Sequence, residues 1–257
     1  MNKRGQVTIF IILAIIIIGV IVAFFALRNS GTLSPNSELK VNQVQDYVQD
    51  CLEQEAVELV YEVAENGGYY ITPEDMYQTS TGIPIYYDST SNKSFMPPLE
   101  AIEQQIEFYL NSKVFFCTND FQNFPDLEIK QNLNLVDSRV KIQDENIEID
   151  LKYPITISKG DNTVQIEEFS YTIRDVRLGI VHQAVEEIIE QQIEAGNSIC
   201  LSCLIETTFN YDVYVNMFDL DETTTAFFIK DENSAFGDKE NLLFIFANKY
   251  YLEENEI

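Results

Sequence analysis

Among its 257 residues the sequence has one histidine, 16 lysines and arginines against 42 aspartates and glutamates, and four cysteines. Each scarcity excludes something. A lone imidazole, His182, with no Ser or Cys nucleophile in a recognisable turn leaves a catalytic triad without support. G-x-S-x-G, a phosphate-cradling glycine loop, H-E-x-x-H and an EF-hand loop are all missing. Paired carboxylates are unavoidable among 42 acids, and nothing selects a pair for glycosidase-like chemistry. The expectation is therefore a protein without catalytic residues, metal or cofactor, and not an enzyme. Residues 29–257 hold all 42 acids and only 13 of the 16 cations, a formal charge of −29. Such a charge keeps the domain soluble and argues against nucleic acid or anionic headgroups as partners.

Charge is missing altogether from Val7 to Leu27, 21 residues. As a helix at 1.5 Å rise per residue this run spans roughly 31 Å, about the hydrocarbon thickness of a bilayer. A secretory signal would have a shorter apolar core and a small-residue cleavage site, whereas this run ends Phe24-Phe25-Ala26-Leu27-Arg28. A buried soluble helix would show a polar face. Residues 7–27 are therefore expected to form a transmembrane helix, with the bilayer as a partner. Lys3 and Arg4 hold residues 1–6 on the cytoplasmic side and place the bulk of the chain outside the cell. Arg28 snorkels to the headgroups.

Lys3-Arg4-Gly5-Gln6 directly ahead of a long apolar helix resembles the class III type of archaeal prepilin-like leader. The resemblance implies cleavage between Gly5 and Gln6 by a membrane aspartyl prepilin peptidase, leaving the apolar helix intact. One position departs from the pattern: the fifth mature residue, glutamate in many pilin helices, is Phe10. That departure argues against filament assembly and leaves the leader topology untouched.

The cysteines are Cys51, Cys117, Cys200 and Cys203, and the single C-x-x-C has no second copy. A zinc site would need all four to converge. No βαβ pattern flanks Cys200-Leu201-Ser202-Cys203, which weakens a thioredoxin-like reading. An even count in an outside compartment favours disulfides. Helix phase puts Cys51 on an apolar stripe and Cys117 close behind a second helix, so the expected pairs are Cys51–Cys117 and Cys200–Cys203.

Beyond the span, Asn29 to Ser37 is polar and turn-forming, and residues 28–37 read as a tether. Val41, Val44, Val48, Cys51, Leu52, Leu59 and Val63 then recur at helical spacing, with Ser37 as N-cap and Asn66-Gly67-Gly68 as the stop. Residues 69–98 are aromatic and loop-dominated. Their tyrosines suit either a recognition surface or half-buried cover for the helices. Asn92-Lys93-Ser94 in this loop is a glycosylation sequon, with Asn92 as acceptor. A second helix is expected from Pro98 to Ser112. From Val140 the period becomes two, giving an antiparallel meander through Ile173. Gly179–Ala195 is helical, and its Glu186, Glu187, Glu190 and Glu194 read as a solvated face and not as metal ligands. Cys200–Tyr211 reads as a short helix or strand, and strands are expected at Val213–Phe218, Thr224–Ile229 and Leu242–Phe246.

The fold class is thus α+β: a transmembrane helix followed by an extracellular domain of amphipathic helices and antiparallel sheet. Its division is a mainly helical part, 38–125, and an α+β part, 126–257. The leader and span, Asp46-Tyr47-Val48 with Cys51-Leu52, Gly67-Gly68-Tyr69, Lys152-Tyr153-Pro154 and Phe246-Ala247 with Lys249-Tyr250 together resemble uncharacterised archaeal single-pass surface proteins. The resemblance implies a membrane-anchored, acidic cell-surface protein of structural or interaction type, pilin-like in topology, with envelope proteins as partners. The alternative is a tethered ligand-binding or accessory module of an envelope complex.

Overall fold

The apolar stripe that begins at Val41 folds as one long helix. The computed structural model describes residues 35–73, 78–234 and 241–251. Gly5, Gln6 and the expected span at 7–27 lie outside these residues. Among the described residues no helix is long and apolar enough to cross a membrane.

Helix α1 runs Pro35–Glu65. It buries Val44, Val48, Cys51, Leu52, Leu59 and Val63 along one face. Its start corrects the expected N-cap at Ser37: Pro35, whose fixed φ suits a first helical turn, opens the helix two residues earlier. The last three residues of the stretch read as tether are therefore helical. Gly67 and Gly68 end α1 at φ +59 and +79, and Gly68 N–H returns to Val63 O at 2.8 Å. A Cβ on Gly67 would meet Ile245 O at 2.5 Å, so glycine is required there by contact as well as by φ.

Helix α2 runs Leu99–Thr118. The expected end at Ser112 falls short because Ile102, Ile106, Leu110, Val114 and Thr118 continue the buried stripe at intervals of four. Cys117 consequently lies inside α2, opposite α1, instead of following the helix. Tyr47 of α1 donates from its hydroxyl to Cys117 O at 3.3 Å, tightening the same contact.

The first sheet is antiparallel. Its central strand β5 (Asn146–Lys159) has β6 (Asn162–Arg174) on one side. On the other side lie β3 (Glu128–Gln131) and β4 (Asp137–Ile142), end to end. Strand β4 alternates exposed and buried residues along its length, as a half-buried strand should. Its open edge is occupied by α2. Glu103 accepts from Ile142 N–H and Glu107 from Val140 N–H, each at 2.9 Å. Glu103 also meets Lys141 Nζ at 3.2 Å. The two carboxylates stand four residues apart on α2 and satisfy alternate outward N–H groups, so no further strand can add here. Glu103→Ala leaves one of these buried donors without its charged acceptor and is expected to cost about 2 kcal/mol in urea unfolding, with Glu103→Gln costing less.

The second sheet has the order β2, β1, β9, β8, β7. Its strands are β1 (Ile85–Asp88), β2 (Lys93–Ser94), β7 (Tyr214–Asp219), β8 (Thr224–Asp231) and β9 (Leu242–Lys249). One pairing departs from the antiparallel expectation: β1 runs parallel to β9. The long chain between them makes a crossover, which a parallel pair requires. Tyr86 and Tyr87, inside the aromatic loop, are fully buried on β1 and so line no recognition surface. Tyr86 donates to Gly67 O at 2.6 Å and stacks on Phe246 at 4.9 Å. Burial, and secondarily the nearby Tyr69, pushes the Tyr86 phenol well above its ordinary pKa.

Helix α3 (Leu178–Ala195) packs its first turn so tightly that a Cβ on Gly179 would stand 2.4 Å from Gln143 O. Helix α4 (Leu201–Tyr211) packs on α3 and settles the ambiguous Cys200–Tyr211 stretch as helix. Buried Gln192 of α3 accepts from Cys200 N–H at 3.1 Å and from the Tyr250 hydroxyl at 3.3 Å. One continuous apolar cluster, from Val44 to Tyr250, runs through the helices and both sheets.

Candidate interaction surface

Cys51 and Cys117 are bridged, with Cα atoms 5.9 Å apart and a separation of 66 positions in sequence. Cys200 and Cys203 form a local bridge at 5.3 Å across the first turn of α4. Asn92 sits exposed in the β1–β2 turn at φ +50, and its Oδ1 accepts from the Tyr87 hydroxyl at 3.2 Å. His182 is buried, with Nε2 3.0 Å from Pro97 O. Ser94 and His182 line a common groove, but the Ser94 hydroxyl oxygen accepts Met96 N–H at 3.2 Å and no hydrogen bond joins it to His182 among the described residues. Glu187 accepts from Gln191 and Thr207, joining α3 to α4. Among the described residues no group of three or more His, Cys, Asp or Glu has a geometry that could hold a metal ion.

Half of the exposed large apolar side chains among the described residues stand elsewhere, on α4 and β7, with Phe108 and Phe116 of α2 among the others. Leu201, Ile205 and Phe209 recur every four residues and so form a stripe along α4, Phe209 being 81% exposed. The opposite side of α4, Leu204 and Thr207, is buried. Just past the helix, Asp212 takes the left-handed conformation and turns the chain into β7. There Tyr214 and Phe218 are 55% and 65% exposed. The register puts them on a defined face. Tyr214, Lys230 and Leu243 form one row, Asn216, Phe228 and Ile245 the next, and Phe218, Ala226 and Ala247 the third. Phe228, Leu243 and Ile245 are half-buried. In the intervening rows Ile229, Phe244, Phe227 and Phe246 are buried in the core and Val215 packs against it, while Met217, at the strand edge, stays exposed.

Acids dominate the stretch of sequence that carries this surface. Between Arg177 and Lys230 there are 52 residues with nine acids and no lysine or arginine. The bounding cations are engaged: Arg177 with Asp231, and Lys230 with Glu232 at 2.7 Å. Asp221, in the β7–β8 turn, receives the Thr223 backbone N–H and hydroxyl, which holds its carboxyl below the usual aspartate range. Tyr211, at the end of α4, has its phenol pushed up first by burial, then by Glu187 and the charges of Glu186 and Glu190.

A groove of about 630 Å³ lies on the first sheet. Its floor is charge-matched across strands: Asp137 faces Lys152, which faces Glu168, and Arg139 faces Asp150. Neither this groove nor the α4–β7 surface was apparent from sequence spacing, although the α4 stripe at 201, 205 and 209 is a signal that helix assignment would have exposed. No family model, no curated protein and no solved structure matches this chain.

Proposed function

We propose that this chain is a membrane-anchored, acidic cell-surface protein of interaction type, with its prepilin-like leader cut between Gly5 and Gln6 and its folded domain engaging other envelope proteins. The observation that carries this reading is the exposed apolar α4–β7 surface with its rim of acids, on a domain whose helices are joined by a bridge suited to an oxidising compartment. The apolar run at 7–27 supports anchorage, and the flanking Lys3 and Arg4 support an outside domain. The chain acts by binding and carries no catalysis of its own. A second reading, a tethered ligand-binding module, is favoured by the groove on the first sheet, whose alternating charges suit a polar, net-neutral ligand.

Mass spectrometry of the chain recovered from native membranes tests the anchorage reading. The expected mature N-terminus is Gln6, and Gly5→Leu should leave the precursor uncut because the peptidase site loses its small residue. Recovery of intact Met1 sinks the leader assignment. Protection of residues 38–251 from protease added to intact cells sinks the outside assignment.

A further inference from the structure

We propose that the open edge of β7 receives an extended, cationic segment of another polypeptide as an added strand. The proposal rests on the interaction reading above and names its partner. Antiparallel pairing alternates, and Leu220 N–H bonds Thr224 O at 2.8 Å. Counting back in twos, residues 218, 216 and 214 exchange hydrogen bonds with β8, while Val215, Met217 and Asp219 direct their backbone groups to the open edge. Among the described residues β7 pairs with β8 alone.

The two sheets treat their edges differently. The β4 edge is closed by Glu103 and Glu107, which take its N–H groups. The β7 edge has no lysine, no proline and no break in its register with β8, and its one charge is Asp219 at the strand's end. Its neighbours are apolar, with Tyr214 and Phe218 exposed on the strand itself and Phe228 and Ile245 half-buried beyond it. A strand added here would extend the three rows described above by one column, and its side chains on that face would bury against Tyr214 and Phe218.

Charge selects the occupant. Asp212 stands at one end of β7, and Asp219, Asp221 and Glu222 stand at the other, within the cation-free 52 residues. A second copy pairing antiparallel through β7 would bring Asp219 of each chain toward Tyr214 and Asp212 of the other, setting acids against acids in a chain of net charge −26. A segment that alternates lysine or arginine with apolar residues presents one face to the apolar rows and cations to the rim. Its backbone satisfies the three outward-facing residues.

The full-length chain in nonionic detergent tests this with a fluorescent nine-residue peptide alternating lysine with valine and tyrosine. Expected results are saturable binding, and at least about a tenfold loss of affinity when alternate peptide nitrogens are methylated or the lysines become glutamates. Met217→Pro should cause a similar loss with an unchanged melting temperature, since that N–H is outside the β7–β8 ladder. Should Met217→Pro destabilise the fold, the Tyr214→Ser/Phe218→Ser variant and the methylated peptide still decide, and both should weaken binding. Equal binding of the methylated peptide overturns the strand mode, and equal binding of the glutamate peptide overturns the charge assignment. A dimer in sedimentation that Met217→Pro dissolves identifies a second copy as the occupant and overturns the proposal. Failure of peptide binding leaves the N-terminal mapping of the leader unaffected, so the two readings fail separately.

Discussion

Removing the Cys51–Cys117 bridge is expected to lower the melting temperature by roughly 8–16 °C. The bridge joins residues 66 apart in sequence, and constraint of an unfolded loop of that length contributes about 4 kcal/mol in the chain-entropy account. A domain of this size loses about 2–4 °C per kcal/mol. Alanine is the replacement of choice, because Cys51 is 2% exposed and a serine hydroxyl would be buried there. The Cys200–Cys203 bridge spans three residues, and the same account gives about 2 kcal/mol, so Cys200→Ala/Cys203→Ala should shift melting by about half as much. Differential scanning calorimetry of the two double variants, each with and without reductant, separates the contributions. Reductant opens both bridges, so in the native chain it should reproduce the sum of the two losses, and in the Cys51→Ala/Cys117→Ala variant it should add only the smaller local loss. Equal shifts for the two bridges would show that loop length does not govern their stabilisation.

Both pairs were readable because each depends on local information. The phase of α1 sets Cys51 on the apolar side, and the i, i+3 spacing of Cys200 and Cys203 leaves them adjacent on any compact backbone. The meander through β4, β5 and β6 was equally legible, since alternation of exposed and buried residues is a local property of each strand. Long-range partnerships were not. Nothing in Ile85–Asp88 marks it for a parallel pairing with a strand more than 150 residues away. Glu103 and Glu107 read as ordinary polar positions on α2, because only the fold reveals that β4 lies alongside them. The α4–β7 surface was hidden for a related reason. Exposed Phe209 and Phe218 look like core residues in a sequence, and burial is decided by what packs against them. The absence of cations from Arg177 to Lys230 was visible throughout, but it acquires meaning only once the open strand edge is placed inside it.

Arg177 ends that run on its N-terminal side and organises the packing beneath the surface. Its side chain is largely buried and donates to Asp231 Oδ1 at 2.8 Å and to Tyr211 O at 2.6 Å. Its backbone N–H donates to Ser234 Oγ at 2.8 Å, and that hydroxyl donates in turn to Asp231 Oδ2. The start of α3, the end of α4 and the end of β8 thus meet on one ion pair whose carboxylate is fully buried. Such a pair gains little over an apolar replacement, because desolvation offsets its Coulomb attraction, but losing one partner strands a buried charge. Arg177→Leu is therefore expected to destabilise by about 3–5 kcal/mol, and Asp231→Leu by a similar amount. Arg177→Leu/Asp231→Leu should cost at least about 2 kcal/mol less than the sum of the singles, because each single strands the other member's buried charge and the double variant strands neither. Some loss persists in the double variant, since Tyr211 O keeps no guanidinium donor. Urea unfolding of the four proteins measures the coupling. Strict additivity would show that Arg177 and Asp231 stabilise the α3–α4–β8 junction independently, through packing and the Tyr211 contact, and not as a pair.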